Sequence, residues 1–382
     1  MTAQPFEIPT RDGRTTLTGQ VDLPAVGSAA RHPVVLMVPG GWFMDRDGYM
    51  GGSGTERDLI YRDLAKDIVA AGIAVVRYDN RGVRCNEMTM PPCPAGSSEF
   101  EVTKHYLNAC VDPDVRQTVT VQTQMDDVED VWTFSINYPQ VDPTRAVIWA
   151  HSEGCGNAAR LIGARRICPR GVIFVCTATE SPAGLVRWQM VDGYAAHLMR
   201  WDADGDGLVT EADVDRQYPT DQLFPAVAIG RDKLQPPRGG WTLVTVREHF
   251  SRIYEETKAA ACVKPDDAPY PDPAPEFRMV AASNNWWKQW FEDNTPMIDH
   301  LAGYCGRASI HIGGIDSQSP GERQFAFAER RINAGIFARA PRLVFHEGRG
   351  HSLRTGEPAA GPMDAEAKAC LVKEMEEMLS AD

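Results

Sequence analysis

Three absences narrow the reading of this sequence. No stretch of about 18 consecutive apolar residues occurs in its 382 residues, so no membrane-spanning helix is expected. Basic runs are missing too, and a net charge of −13 argues against nucleic acid or an anionic membrane surface as the main partner. An uncharged or cationic small molecule suits that charge better. Nine cysteines are present, without Cys-x-x-Cys spacing, so no zinc or disulfide framework is recognisable. They are expected as free thiols, with a bridge among Cys85, Cys93 and Cys110 as the alternative. Met1–Arg14 shows no basic segment followed by an apolar one, which leads to the expectation of a cytoplasmic protein. No internal repeat or low-complexity tract is visible.

What is present is a globular composition, 43% apolar and 24% charged, in a chain long enough for a large core. Residues 5–24 read as two strands around a turn at Asp12-Gly13, an antiparallel edge. Buried-strand patterns follow at 33–38, 73–78, 145–150, 171–176, 308–312 and 342–345, with helical spacing at 57–71, 118–135 and 365–379. Strand and helix in alternation predict a mostly parallel, doubly wound α/β sheet. Proline and glycine between Val83 and Pro113 predict a long loop. Alternation stops near Ser181 and resumes near residue 300. The expected division is therefore a core over 1–180 and 300–382, with a helical lid over 181–299.

Ser152 stands in Ala150-His151-Ser152-Glu153-Gly154, between a strand pattern and a helix pattern. A serine nucleophile needs a base, an acid that orients the base, and donors for the developing oxyanion. Asp316 follows the strand at 308–312 and His351 follows the strand at 342–345. Asp299 and Asp293 are the rival acids. The order Ser152, Asp316, His351 is the one in which an elbow serine meets its partners on a parallel sheet. His151 is assigned a structural role, as is His346, and Asp79 with Arg81 is expected to form a turn-stabilising pair.

Val38-Pro39-Gly40-Gly41 with Asp45-Arg46-Asp47-Gly48, Arg77-Tyr78-Asp79-Asn80-Arg81-Gly82, His151-Ser152-Glu153-Gly154 and Gly350-His351 together resemble the α/β-hydrolase superfamily, in particular its bacterial esterase and serine-aminopeptidase-like branch. The resemblance covers about 33–180 and 300–380. It implies nucleophile Ser152, acid Asp316, base His351, and an oxyanion hole from the backbone amides of Glu153 and of Gly41 or Trp42. The implied activity is hydrolysis of a carboxylic ester, with amide or peptide cleavage on the same residues as the alternative and a non-catalytic ligand-binding protein as a third reading. No organic cofactor is implied.

A second motif lies within 181–299. Asp202, Asp204 and Asp206 occupy positions 1, 3 and 5 of a twelve-residue loop with Gly207 at 6, Leu208 at 7 and Asp213 at 12. Hard oxygen ligands at this spacing match an EF-hand calcium loop, with Leu208 offering its carbonyl. Aspartate at position 12 resembles dockerin-type loops. A single loop points to a structural calcium rather than a signalling pair. Trp286, Trp287 and Trp290 fall on one helical stretch, as core of the inserted segment or, with Trp42, as lining of an apolar substrate pocket.

Overall fold

The computed structural model describes residues 2–25, 31–41, 44–48, 59–83, 99–221, 223–226, 229–270, 282–355 and 362–380. Its chain divides into two compact units, one of Met1–Val115, Val121–Glu180 and Thr295–Asp382, the other of Arg116–Thr120 and Ser181–Asn294. The first holds an eight-stranded sheet: β1 (Thr2–Pro9), β2 (Thr16–Leu23), β3 (His32–Val38), β4 (Ala74–Tyr78), β5 (Val141–His151), β6 (Gly171–Val175), β7 (Arg307–Gly313) and β8 (Arg342–His346). Their order across the sheet is β1-β2-β4-β3-β5-β6-β7-β8. β2 runs antiparallel to both β1 and β4, and every other pairing is parallel.

Local sequence explains this arrangement. Gly13, at φ +67°, closes the β1–β2 turn, a left-handed position that glycine fills without strain. The central strands are nearly uniform apolar runs because both of their faces are covered. On one face Val35, Val75, Val147 and Trp149 pack with α1 (Ile60–Ala70) and α5 (Ala365–Leu379). On the other, Val34, Leu36, Ile148 and Phe174 pack with α2 (Val121–Asn137) and α3 (Glu153–Gly163). This is the doubly wound sheet that the periodicities predict, and its strand order with an antiparallel second strand is that of the α/β-hydrolase fold.

Two elements depart from expectation. Glu99–Cys110 is a helix inside the stretch expected to be loop. α4, the helix Gly321–Asn333, went unforeseen because only Gly321, Gln324 and Ala328 of its charge-rich sequence are buried. Cys110 is disulfide-bonded, as in the alternative of a bridge within its group rather than the expectation of free thiols, whereas Cys155, Cys168, Cys176, Cys262, Cys305 and Cys370 are free as expected. Cys85 and Cys93 lie outside the described residues. A stable disulfide suits an oxidising compartment. No helix among the described residues is long and apolar enough to cross a membrane.

Buried charges brace the strand ends that carry the site. Arg77 on β4, 3% exposed, donates from Nε to Asp22 Oδ2 at 2.8 Å and pairs with Asp47 through Nη1. Asp79 and Arg81 do not pair with each other. Asp79 accepts from Arg46 Nε at 3.0 Å, and Arg81 donates from Nε to Asp127 Oδ2 at 2.9 Å. Each arginine thus spans segments distant in sequence rather than closing one turn. At the opposite end of the sheet, Arg145 Nε, Arg170 Nε and Arg307 Nη1 donate to the carbonyls of Leu379 (2.9 Å), Met378 (2.7 Å) and Glu377 (2.7 Å). Those carbonyls end α5 and lack helical partners of their own, and cations there also meet the negative end of the helix dipole.

The second unit is helical. Pro182–Trp188 is capped by Ser181, whose side chain accepts from Gly184 N at 3.2 Å. The 21-residue helix Leu243–Val263 starts in a capping box between Thr242 and Thr245. Leu198, Trp201, Val214, Phe224, Trp241 and Phe250 form a core within this unit.

Replacing Arg77 with leucine leaves Asp22 and Asp47 buried without their cation, and removing one partner of a buried pair costs about 3–5 kcal/mol. Guanidinium unfolding of Arg77→Leu is expected to show a loss of that size; a loss below about 1 kcal/mol contradicts this account of the β4 end.

Candidate active site

Ser152 ends β5 and begins α3 with φ +50° and ψ −125°, a backbone region costly for a residue with a side chain. The turn is held from three directions. Ser152 N donates to Val175 O at 2.9 Å, and Ser152 O accepts from Cys155 N at 3.1 Å. The third restraint is steric: a Cβ on Gly154 would lie 2.2 Å from Pro39 O, so only glycine lets α3 approach the end of β3 this closely. Ala150, where glycine is usual in such turns, is buried in the strand and accommodated. Behind the elbow, Cys155, Phe174, Thr179, Met297 and Ile310 are among the residues lining a small apolar hollow.

Asp316 and His351 meet beyond the carboxyl ends of β7 and β8. His351 Nδ1 lies 2.9 Å from Asp316 Oδ2 and 3.0 Å from Oδ1, with both residues buried. Asp316 Oδ1 also accepts from Gln318 N at 2.8 Å and Ser319 N at 3.0 Å. A carboxylate so fixed can hold an imidazole with Nδ1 protonated and Nε2 free. The end of β7 needs Gly313, whose added Cβ would lie 2.5 Å from the carbonyls of both Arg349 and Gly350. Of the rival acids, Asp299 is occupied by Arg331, whose Nε donates to its Oδ1 at 2.8 Å. The ring of His351 stands 4.9 Å from that of His151, the residue before the serine.

At the end of β3, a Cβ on Gly41 would fall 1.9 Å from Glu153 Oε2. The carboxylate of Glu153 therefore lies against Gly41, while its backbone amide belongs to the first turn of α3. Trp42 lies outside the described residues. The amide of Gly40 donates to Tyr61 Oη at 2.9 Å, Tyr61 Oη lies 2.9 Å from His151 Nδ1, and His151 Nε2 lies 2.8 Å from Ser352 Oγ. Burial, then the nearby His351 and Arg354, hold the His151 imidazole well below the ordinary histidine range. Sequence patterns offered little to foresee this chain beyond a histidine next to the serine, because Tyr61 reads as one more core position of α1. His346 has a structural partner: His311 Nδ1 lies 3.0 Å from His346 Nε2, and His311 Nε2 lies 2.7 Å from Glu374 Oε2.

In the second unit, Asp202, Asp204 and Asp206 each offer a carboxylate oxygen within 4.8 Å of the others. Gly205 and Gly207 take φ +75° and +84° to form the loop. Leu208 N donates to Asp206 Oδ1 at 2.8 Å. Asp213 departs from the expected ligand set. Its Oδ2 accepts from Thr210 N at 2.9 Å and Oγ1 at 2.7 Å, its Oδ1 pairs with Arg216, and together these cap the helix Glu211–Gln217. Aspartate is one methylene shorter than glutamate, and here it serves the helix rather than the loop. Trp286, Trp287 and Trp290 pack on one another, with ring centroids 4.9 Å apart in both the Trp286–Trp287 and Trp286–Trp290 pairs. Trp287 and Trp290 also pack against a core that includes Val186, Met190 and Tyr254.

Comparison with solved structures agrees on the fold. The chain is similar to DcsB, solved in complex with its substrate analogue, at 14% identity, TM-score 0.51, and coverage of 99% of this chain and 98% of that one. The α/β hydrolase GrgF from Penicillium sp. sh18 is 16% identical, with TM-score 0.49 over 99% and 98% of the two chains. A thermophilic esterase from Thermogutta terrifontis, with malate bound, is 14% identical, with TM-score 0.47 over 99% and 100%. No family model matches the sequence, and no curated protein matches it.

His151 and His346 both titrate below their unfolded value, His346 at about 4 because of burial and the adjacent His311. Below about pH 6.5 the unfolded chain binds protons that the folded chain refuses. Stability from these neutral rings is full above that pH and is lost as pH falls toward 4. Denaturant titrations between pH 7.5 and 4 are expected to show this decline, with a shallower slope in His346→Gln; an unchanged slope in that variant contradicts the assignment.

Proposed function

We propose that this protein is a serine hydrolase that cleaves a carboxylic ester through an acyl-enzyme. The observation that carries the reading is the buried Asp316–His351 pair at the ends of β7 and β8, together with a left-handed serine at the end of β5 whose neighbour His151 stands 4.9 Å, ring to ring, from His351. In this mechanism His351 Nε2 takes the proton of Ser152 Oγ as that oxygen attacks the ester carbonyl carbon. Asp316 holds Nδ1–H and stabilises the imidazolium. The carbonyl π electrons move onto oxygen, and the backbone amides of Glu153 and of Gly41 or Trp42 receive the oxyanion. Collapse expels the alcohol, which takes the proton from His351. Water, deprotonated by the same imidazole, then attacks the acyl carbon, and collapse breaks the bond to Ser152 Oγ, which takes the proton back from His351 as the acid leaves. The net charge of −13 favours an uncharged or cationic substrate.

The same reading gives the loop 202–208 a structural calcium ion, supported by the convergence of three carboxylates on a glycine-shaped turn. Asp202, Asp204, Asp206 and the Leu208 carbonyl would hold it, with water completing the shell. Because Asp213 is committed to its helix, affinity is expected in the weak range of extracellular modules, about 10⁻⁴–10⁻³ M.

Ser152→Ala is expected to abolish turnover of p-nitrophenyl esters, by at least about 10³-fold, and to lose labelling by a fluorophosphonate while melting as the parent does. Retained turnover sinks the assignment; amino-acid anilides cleaved in preference to esters move the substrate to amides. For the metal, titration calorimetry with calcium alone is expected to show one weak site that Asp204→Ala removes. No heat and no change in melting temperature at about 5 mM calcium, roughly five times the weakest Kd of that range, contradicts the calcium reading.

A further inference from the structure

Tyr61, His151 and Ser352 are buried, and their polar atoms form an unbroken line between two parts of the proposed site. One end is the amide of Gly40, in the turn assigned to the oxyanion. The other is Ser352, next to His351. We infer that His151 is a positioning residue that couples these two parts through one fixed tautomer. The inference rests on the serine-hydrolase reading above.

The direction of the line follows from counting donors. Tyr61 Oη already accepts from Gly40 N at 2.9 Å, so its own hydrogen has two destinations, His151 Nδ1 at 2.9 Å and Met44 Sδ at 3.1 Å. An imidazole nitrogen is a far better acceptor than a thioether. With Tyr61 donating to Nδ1, a neutral His151 carries its proton on Nε2 and donates to Ser352 Oγ at 2.8 Å. Every bond then points one way, Gly40 to Tyr61 to His151 to Ser352, and such aligned chains polarise and strengthen one another. The reverse tautomer would have Tyr61 accept twice and donate only to sulfur.

The two ends have reason to need this support. Ser352 and Leu353 are consecutive left-handed residues without being glycine, at φ +65° and +57°, directly after His351. Such backbone persists where its surroundings over-determine it, and the Ser352 hydrogen bond is one restraint. At the other end Gly40 cannot shift freely, since an added Cβ would meet Met44 Sδ at 2.8 Å and His151 Nδ1 at 2.9 Å. His151 is thus in contact with the oxyanion turn and the imidazole loop at once, and its ring stands 4.9 Å from that of His351.

Tyr61→Phe and Ser352→Ala, with His151→Gln and the Tyr61→Phe/Ser352→Ala double variant, test the coupling on p-nitrophenyl acetate. Each single change is expected to lower kcat by about tenfold with KM within about twofold, and with melting still cooperative. The double variant should fall little further than the worse single one, since both interrupt one line. His151→Gln, whose carboxamide both donates and accepts, should retain more kcat than His151→Ala. Histidine ¹⁵N spectra of the unmodified protein at pH 7.5 should show Nδ1 of His151 unprotonated and Nε2 protonated. Unchanged kcat, a product of independent losses in the double variant, or a proton on Nδ1 overturns the inference. Should Tyr61→Phe not fold, Ser352→Ala and the spectra still decide it. Fluorophosphonate labelling that persists in these variants but not in Ser152→Ala shows that a failure belongs to the coupling and not to the hydrolase reading.

Discussion

A serine forced into left-handed backbone between a buried strand and a helix holds its shape only because its neighbours leave it no other. Gly154 brings α3 against the carbonyl of Pro39, and the Ser152 amide is tied to the end of β6. Both restraints come from parallel strands whose carboxyl ends lie side by side, β3 and β6 flanking β5. The sheet is thus the cause and the constrained serine turn its result. Asp316 and His351 obey the same rule two and three strands on from β5, each beyond the end of its own strand, with Gly313 permitting the close crossing of their loops. Function here depends on small residues as much as on reactive ones.

Charge is used in two ways. Near the edge of the sheet, Arg77, Arg46 and Arg81 are each matched to carboxylates from distant segments, with Arg77 and Asp22 almost wholly removed from solvent. Such pairs contribute less to net stability than to fixing which segment lies where. They place the 45–48 segment, and with it the turn that follows β3. The acidic surplus elsewhere, including the exposed Asp204 and Asp206, sets the sign of the long-range field.

Much of the fold was legible because buried parallel strands leave nearly continuous apolar runs, and 33–38, 145–150 and 171–176 are such runs. α4 was not, since its sequence is rich in charge and its aromatic contacts, Phe325 and Phe327 on the core, are only partly buried. Of the candidate site, the meeting of Asp316 and His351 was legible, because both follow neighbouring parallel strands at their carboxyl ends. Pairings across the chain were not. Asp79 and Arg81 are neighbours in sequence yet bond elsewhere, Asp213 serves a helix cap, and the Tyr61–His151–Ser352 line joins residues from three distant segments. A hydrogen bond between side chains 90 or 201 residues apart leaves no local trace for periodicity to detect.

The arginine clamp on the end of α5 sets an order in time as well as in space. Arg145 and the carbonyl it holds are 234 residues apart, and Arg170 and its acceptor 208. At a synthesis rate of about 5–20 residues per second, β5 and β6 leave the ribosome roughly ten to fifty seconds before their covering helix exists. During that interval one face of the central strands, Val147 and Trp149 included, has no α5 to pack against. A nascent chain of this design carries an uncovered apolar face until α5 has been made.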